Sequence, residues 1–155
     1  MSNIHIVTYA THAEGYYNEL MKNKIVTNLG WGKKWNGFQD KTIGVEKYTR
    51  NLVDRGKEND IVIYIDGFDT KINKYVDTDR LVENFYNIVG EEGGILYSKD
   101  ISLPHIIGYI QDKTFGTCTG NIRANAGMFM GNAFQLNELL GKSLEYKCQD
   151  DQYVL

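Results

Sequence analysis

The sequence predicts one α/β domain built on an open, mostly parallel sheet flanked by helices. Short β-branched apolar runs alternate with amphipathic stretches of helical period, the pattern of strands joined by crossover helices. Residues 61–65 are apolar throughout, as in a parallel strand covered on both faces. No repeat, low-complexity tract or linker divides the 155 residues, and that length suffices to bury a core.

Taken in order, residues 3–9 (NIHIVTY) alternate and predict the first strand. Residues 13–23 set Tyr16, Tyr17, Leu20 and Met21 on one helical face, opposite Glu14, Asn18 and Lys22. Residues 24–29 read as a second strand, and residues 30–40 (GWGKKWNGFQD) as a glycine-rich, aromatic loop. Residues 42–57 predict the clearest helix. Its stripe is Val45, Tyr48, Leu52 and Val53, with Lys47, Arg50 and Asp54 outside, Thr42 as N-cap and Gly56 at the end. Residues 60–65 (DIVIYI) form the third strand. Residues 79–89 form a helix with Leu81, Val82, Phe85 and Ile88 in register. Strands at 93–97 and 125–131 follow, then a helix over 133–140.

Composition narrows the function classes. Net charge is -3 and Lys and Arg are spread along the chain, which disfavours a nucleic-acid partner. The apolar run at 61–65 is far too short to span a bilayer. Residues 1–15 lack the basic, apolar and small-residue regions of a secretory signal. Cys118 and Cys148 do not fall in a metal-ligand spacing, and no Asn-x-Ser/Thr sequon is present. These features predict a soluble chain of a reducing compartment. His5, His12 and His105 carry no pattern of their own, although His12 follows the first strand on the expected ligand side.

Ligands of open α/β sheets sit beyond the carboxyl ends of the strands. Residues 64–70 (YIDGFDT) end the third strand with Asp66 and Asp69 around Gly67, a glycine that permits a tight bend. Two such carboxylates are hard ligands suited to Mn²⁺, or Mg²⁺, held together with phosphate oxygens. The bland alternative makes both Asp residues turn formers. Aspartyl-phosphate phosphatases also follow an apolar strand with Asp residues, but they need two Asp separated by one residue. Here Phe68 occupies the acid position, which argues against that chemistry.

Two further segments fall at the same end. In the loop after Gly30, Lys33, Lys34 and Lys41 add positive charge near a helix N-terminus, and Trp31 and Trp35 are placed to cover a ring. The alternative is a mobile loop whose Trp residues fold onto the core. Residues 149–152 (QDDQ) offer Asp150 and Asp151 to bind sugar hydroxyls or deprotonate an acceptor, against the plainer reading of a solvated helix N-terminus.

Read together, these segments resemble the glycosyltransferase domain of the procollagen lysyl hydroxylase/glycosyltransferase family, including relatives encoded by large DNA viruses. The matching stretches run in order through nearly the whole chain: residues 9–16 (YATHAEGY), 30–37 (GWGKKWNG), 66–69 (DGFD), 125–131 (NAGMFMG) and 150–152 (DDQ). The resemblance implies a Rossmann-like A-type glycosyltransferase fold binding a UDP-sugar through Mn²⁺. It implies Asp66 and Asp69 as metal ligands and Phe68, in place of the family's Tyr, against the uracil. Trp35 and its loop, with Lys41, Lys47, Asn125 and Gly127, would line the donor site. Asp150 and Asp151 would face the transferred sugar and the acceptor.

The family's acidic run before the Gln is longer, and its members continue further to supply a His as third metal ligand. The resemblance therefore implies a single donor-binding domain over 1–155 that is incomplete at its C-terminus. Leu103-Pro104 stands where the family has a Trp before the Pro, so sugar or acceptor preference is expected to differ.

The implied activity is transfer of galactose or glucose from a UDP-sugar to a hydroxyl acceptor, hydroxylysine of collagen-like protein being the family's own. The viral relatives would place such a chain in the cytoplasm or virion. The competing reading is a non-catalytic nucleotide-sugar or partner-binding module. A third is a structural remnant whose truncated edge drives homo-oligomerisation.

Overall fold

The computed structural model describes residues 3–72, 77–99 and 124–146. Along the chain these form β1 (Ile4–Thr8), α1 (Tyr17–Leu20), β2 (Val26–Asn28), α2 (Gln39–Asp54), β3 (Ile61–Ile65), α3 (Thr78–Val89), β4 (Ile95–Lys99), β5 (Ala124–Asn132) and α4 (Ala133–Glu145). The strands make one open sheet of order β2-β1-β3-β5-β4. Its central strand is the uniformly apolar β3, buried at all five positions.

Period-two alternation along β3 divides the core between the two faces. Val62 and Tyr64 join Val7, Tyr9 and Phe129 beneath Val45 and Leu52 of α2 and Ala133, Leu136 and Leu140 of α4. Ile61, Ile63 and Ile65 join Ile6, Val26 and Met130 beneath Leu20 of α1 and Phe85 of α3. The sheet is thus covered by helices on both sides. Each fully buried Leu contributes on the order of 2 kcal/mol relative to exposure.

A polar link ties α2 to α4. Asn137 Nδ2 donates to the Glu46 carbonyl at 3.1 Å and approaches Thr49 Oγ1 at 3.3 Å. The buried Glu46 carboxylate is satisfied by the Arg50 guanidinium, one helical turn away.

Strand direction positions the site. β1 pairs parallel with β2 on one side and with β3 on the other. The sheet therefore grows outward in both directions from β1, and the crossovers α1 and α2 lie on opposite faces. That arrangement opens a crevice at the carboxyl ends of β1 and β3.

β5 runs against β3, and β4 against β5, so four strands point one way and β5 alone points back. The parallel sheet predicted from β3 holds on the β1 side only. On its other side β3 faces an antiparallel neighbour, which brings the start of β5 to the carboxyl end of β3. Register sets Phe129 between Tyr64 and Tyr97, stacked on the first ring at 4.9 Å and tilted against the second at 5.6 Å.

Several predicted bounds move for local reasons. The helix expected over 13–23 contracts to Tyr17–Leu20, because Gly15 takes φ +54° and turns the chain just before it. β2 stops at Asn28, whose side chain replaces the ladder by bonding both Ala10 N–H at 3.0 Å and Ala10 carbonyl at 2.8 Å. Thr42 is not an N-cap. α2 already starts at Gln39, and Asp40 in its first turn accepts from Asn36 N–H at 2.7 Å, leaving Thr42 inside the helix and buried.

The stripe of α3 runs through Leu81, Val82, Phe85, Tyr86 and Val89, so Ile88 falls at its rim and is 69% exposed. β4 begins two residues later than predicted, since Gly93 takes φ +76° and belongs to the turn. α4 is capped by Asn132, which accepts from Gln135 N–H at 2.7 Å, and it runs on to Glu145 past Gly141. Among the described residues no helix is long and apolar enough to cross a membrane.

Candidate functional site

The chain leaves β3 at Ile65 and turns at once. Asp66 N–H donates to the Gly127 carbonyl at 2.8 Å, so the corner stays tied to the start of β5. Asp66 Oδ1 accepts from Phe68 N–H at 3.0 Å, closing an Asx turn. Gly67 is required by close approach. A Cβ there would stand 2.9 Å from both Ala10 Cβ and Thr8 Oγ1, tighter than real contacts, so only glycine lets the corner lie on the end of β1. A Cβ on Gly127 would stand 2.8 Å from Asn125 Oδ1, the movable end of that side chain, and 4.0 Å from Asp66 Cβ. Asn125 Oδ1 in turn accepts from Gly127 N–H at 2.6 Å.

The structure therefore brings Asp66, Gly127 and Asn125 into one cluster. Phe68 is half-buried, and its ring lies 5.3 Å from that of His12. Asp69 is exposed, and among the described residues its hydrogen-bond contact is with Thr70 Oγ1, at 3.5 Å. The turn-former reading and the ligand reading thus coexist at Asp66. One oxygen holds the turn, and the other has no partner among the described residues.

The donor chemistry can be set against a divalent cation. Among the described residues no group of three or more His, Cys, Asp or Glu side chains gathers into an all-protein metal cage. What the corner offers is two hard carboxylates at a solvent-facing strand end. That set fits Mn²⁺ or Mg²⁺ taken up jointly with phosphate oxygens, the mode in which such ions keep few protein ligands.

The aromatic loop packs against the same end of the sheet. Trp35 is 43% exposed and packs on Tyr9 and edge-on against Phe38, at 6.3 and 5.7 Å. Lys33 Nζ lies 5.7 Å from the Tyr9 ring and Lys41 Nζ 5.3 Å from the Phe38 ring. Tyr9 is itself pinned, because Gly30 and Gly44 leave no room between its ring and the backbone on either side. Trp31 stacks flat on Tyr17 at 5.0 Å with its indole 57% exposed. Both Trp residues thus pack on buried tyrosines while keeping much of their surface exposed.

Lys47 is exposed on α2, eight residues beyond Gln39. That puts it about 12 Å along the axis from the helix start. It makes no ion pair among the described residues. Asp150 and Asp151 lie outside the described residues, as do His105, Leu103-Pro104, Cys118 and Cys148.

Sequence reasoning treated His5 as featureless, and the structure corrects that. His5 Nδ1 lies 2.9 Å from Tyr48 Oη and Nε2 2.9 Å from Asp60 Oδ2, at the amino end of the sheet, away from the corner. Burial pushes the Asp60 carboxyl up, but hydrogen bonds from His5 and Asn3 outweigh it and hold it below the usual value. Burial, with the Asp60 charge behind it, raises the Tyr48 phenol. The missed signal was the strand-face position of His5, opposite a helix Tyr and beside a strand-leading Asp. Tyr9 and Phe38, which brace Trp35, were missed as well. Burial first, and Asp40 second, raise the Tyr9 phenol.

Fold and site together define an open α/β domain with an acidic corner at the crevice between its first and third strands. No family model matches the chain, and no curated protein sequence matches it.

Proposed function

We propose that the chain is a metal-dependent glycosyltransferase of Rossmann-like A-type fold, moving a hexose from a UDP-sugar to a hydroxyl acceptor. The observation that carries this reading is the Asp66-Gly67-Phe68-Asp69 corner at the carboxyl end of β3. It stands at the switch point where open α/β sheets bind nucleotides. The reading draws further support from the residues clustered there. Asp66 is tied to Gly127, Phe68 is held half-buried, and the packed loop presents Trp35 with Lys33 and Lys41.

In this account Asp66 and Asp69 hold a divalent cation, which when bound neutralises negative charge on the departing diphosphate. Phe68 and Trp35 supply flat apolar surface to the base or sugar ring. Lys33 and Lys41 raise the local positive potential where phosphates enter, near the N-terminus of α2. Asp150 and Asp151 are assigned to the sugar and acceptor side, with galactose or glucose as the transferred sugar and hydroxylysine of collagen-like protein as the first acceptor to try. The likeness to the procollagen lysyl hydroxylase/glycosyltransferase family rests on ordered short stretches of sequence.

The test is turnover of UDP-galactose and UDP-glucose with Mn²⁺, by hydrolysis and by transfer to a hydroxylysine peptide, for wild type, Asp66→Ala and Asp69→Ala. Turnover by wild type that both variants lose supports the proposal. Mn²⁺-dependent donor binding without turnover favours the non-catalytic nucleotide-sugar module. Donor binding that ignores Mn²⁺ and survives both substitutions rules out the proposed site.

A further inference from the structure

The outer half of the corner is braced from one segment, the turn that leads into α1. Gly15 sits at φ +54°, and a Cβ on it would overlap the Phe68 carbonyl oxygen. The next residue uses that close approach, because Tyr16 N–H donates to the same oxygen at 2.7 Å. Beyond Asp69 the chain is caught again. Lys71 Nζ stands 3.9 Å from the centroid of the Tyr16 ring and 3.2 Å from Glu19 Oε2. His12, bonded to Glu14 at 3.1 Å, lies against the Phe68 ring from the same segment.

Asp69 is therefore bracketed: the carbonyl just before it and the side chain two residues after it are both fixed to Tyr16. Asp69 itself is exposed and, among the described residues, has no hydrogen bond shorter than the 3.5 Å contact with Thr70 Oγ1. Its direction is set by its flanks. Asp66 needs no such help, since β5 and the Asx turn hold it.

We propose that Gly15 and Tyr16 are positioning residues that pre-orient the Asp69 carboxylate for a cation shared with a nucleoside diphosphate. This rests on the reading of Asp66 and Asp69 as the cation site. A carboxylate already held in place loses little freedom on binding, so the brace adds affinity without touching the ligand. Glycine is dictated at position 15 twice over, by its left-handed backbone and by the Phe68 carbonyl. Tyr16 adds an aromatic ring that restrains Lys71 while staying 47% exposed, so its loss leaves the core intact.

The experiment is calorimetric titration of the full chain with Mn²⁺ plus UDP, alongside urea unfolding, for Tyr16→Ala, Tyr16→Phe, Gly15→Ala and Asp69→Ala. Tyr16→Ala is expected to weaken binding about threefold at an unchanged urea midpoint. Both variants keep the backbone donor to Phe68, so Tyr16→Phe, which keeps the ring against Lys71, should restore wild-type affinity. Gly15→Ala should weaken binding by about tenfold or more, because the corner is displaced.

Should Gly15→Ala fail to fold, the Tyr16 pair decides. Wild-type affinity in Tyr16→Ala, with binding lost in Asp69→Ala, overturns the brace and leaves the cation site standing. Wild-type affinity in Asp69→Ala overturns both. A loss in Tyr16→Ala that Phe does not rescue, and that comes with a lower midpoint, also overturns the positioning role.

Discussion

Asp60→Ala removes the knot at the amino end of the sheet, and its cost can be worked from the structure. Asp60 is 5% exposed and accepts from Asn3 N–H and bonds His5 Nε2, both at 2.9 Å. A hydrogen bond to a charged acceptor contributes roughly 1.5–3 kcal/mol net. Asn3 is exposed and can turn to water, so its share falls to the low end. His5 is half-buried and keeps only Tyr48, so its share is fuller.

The sum is a loss of about 3 kcal/mol. With a urea m-value of about 2 kcal/mol/M for a chain of this size, the midpoint should fall by about 1.5 M. The pH dependence follows from the depressed carboxyl. Its folded value lies below the ordinary 3.8 of a free aspartate, so its contribution is fully present above that value and disappears as pH falls through the folded one. Wild type should therefore lose stability as pH falls below about 4, whereas Asp60→Asn should lack that part of the acid limb. A midpoint for Asp60→Ala within about 0.3 M of wild type, or an unchanged acid limb in Asp60→Asn, would refute the reasoning.

Trp35→Ala should weaken UDP-sugar binding several-fold while shifting the melting temperature by no more than about 2 °C, because the ring is a partly exposed brace on Tyr9. A large fall in melting temperature would make Trp35 a core residue instead. Gly67→Ala should cost about 1–3 kcal/mol in urea unfolding through the clash with Ala10 and Thr8, and should also lower Mn²⁺-dependent donor affinity. Unchanged stability would show that the corner does not rest on β1. Leu140→Ala, at a fully buried site between α2, α4 and the sheet, should cost about 2–5 kcal/mol by the same assay without changing donor affinity per folded molecule.

The two periodicities made most of the scaffold readable in advance. Alternation and apolar runs located β1, β2 and β3, and the 3.6-residue stripe located α2 and α3, because burial on one face leaves that imprint. Strand direction left none. β5 has the composition of any short buried strand, and nothing in its residue types sets its antiparallel course. Helix starts were misplaced where backbone geometry overrode side-chain preference, at Gly15 and in the turn before Gln39.

Asp66 stood out in the sequence because a carboxylate after an apolar strand is chemically conspicuous. The brace from Tyr16 was not, since a backbone donor aimed at the Phe68 carbonyl has no signature in residue type. The His5–Asp60–Tyr48 cluster escaped for a related reason. Its members are 43 and 55 positions apart from His5 and meet only once the sheet forms.

The central claim is that the Asp66 corner holds a cation together with a nucleoside diphosphate. The most direct measurement is the UDP dissociation constant with and without Mn²⁺, for wild type and Asp66→Ala. The substitution removes one Asx hydrogen bond, which costs about 1 kcal/mol of stability and leaves the fold. The account predicts that Mn²⁺ tightens UDP binding to wild type by about tenfold or more and has no effect on the variant, since two hard ligands and the phosphates share the ion. Equal UDP affinity with and without Mn²⁺ in wild type, or the same Mn²⁺ response in Asp66→Ala, would contradict it.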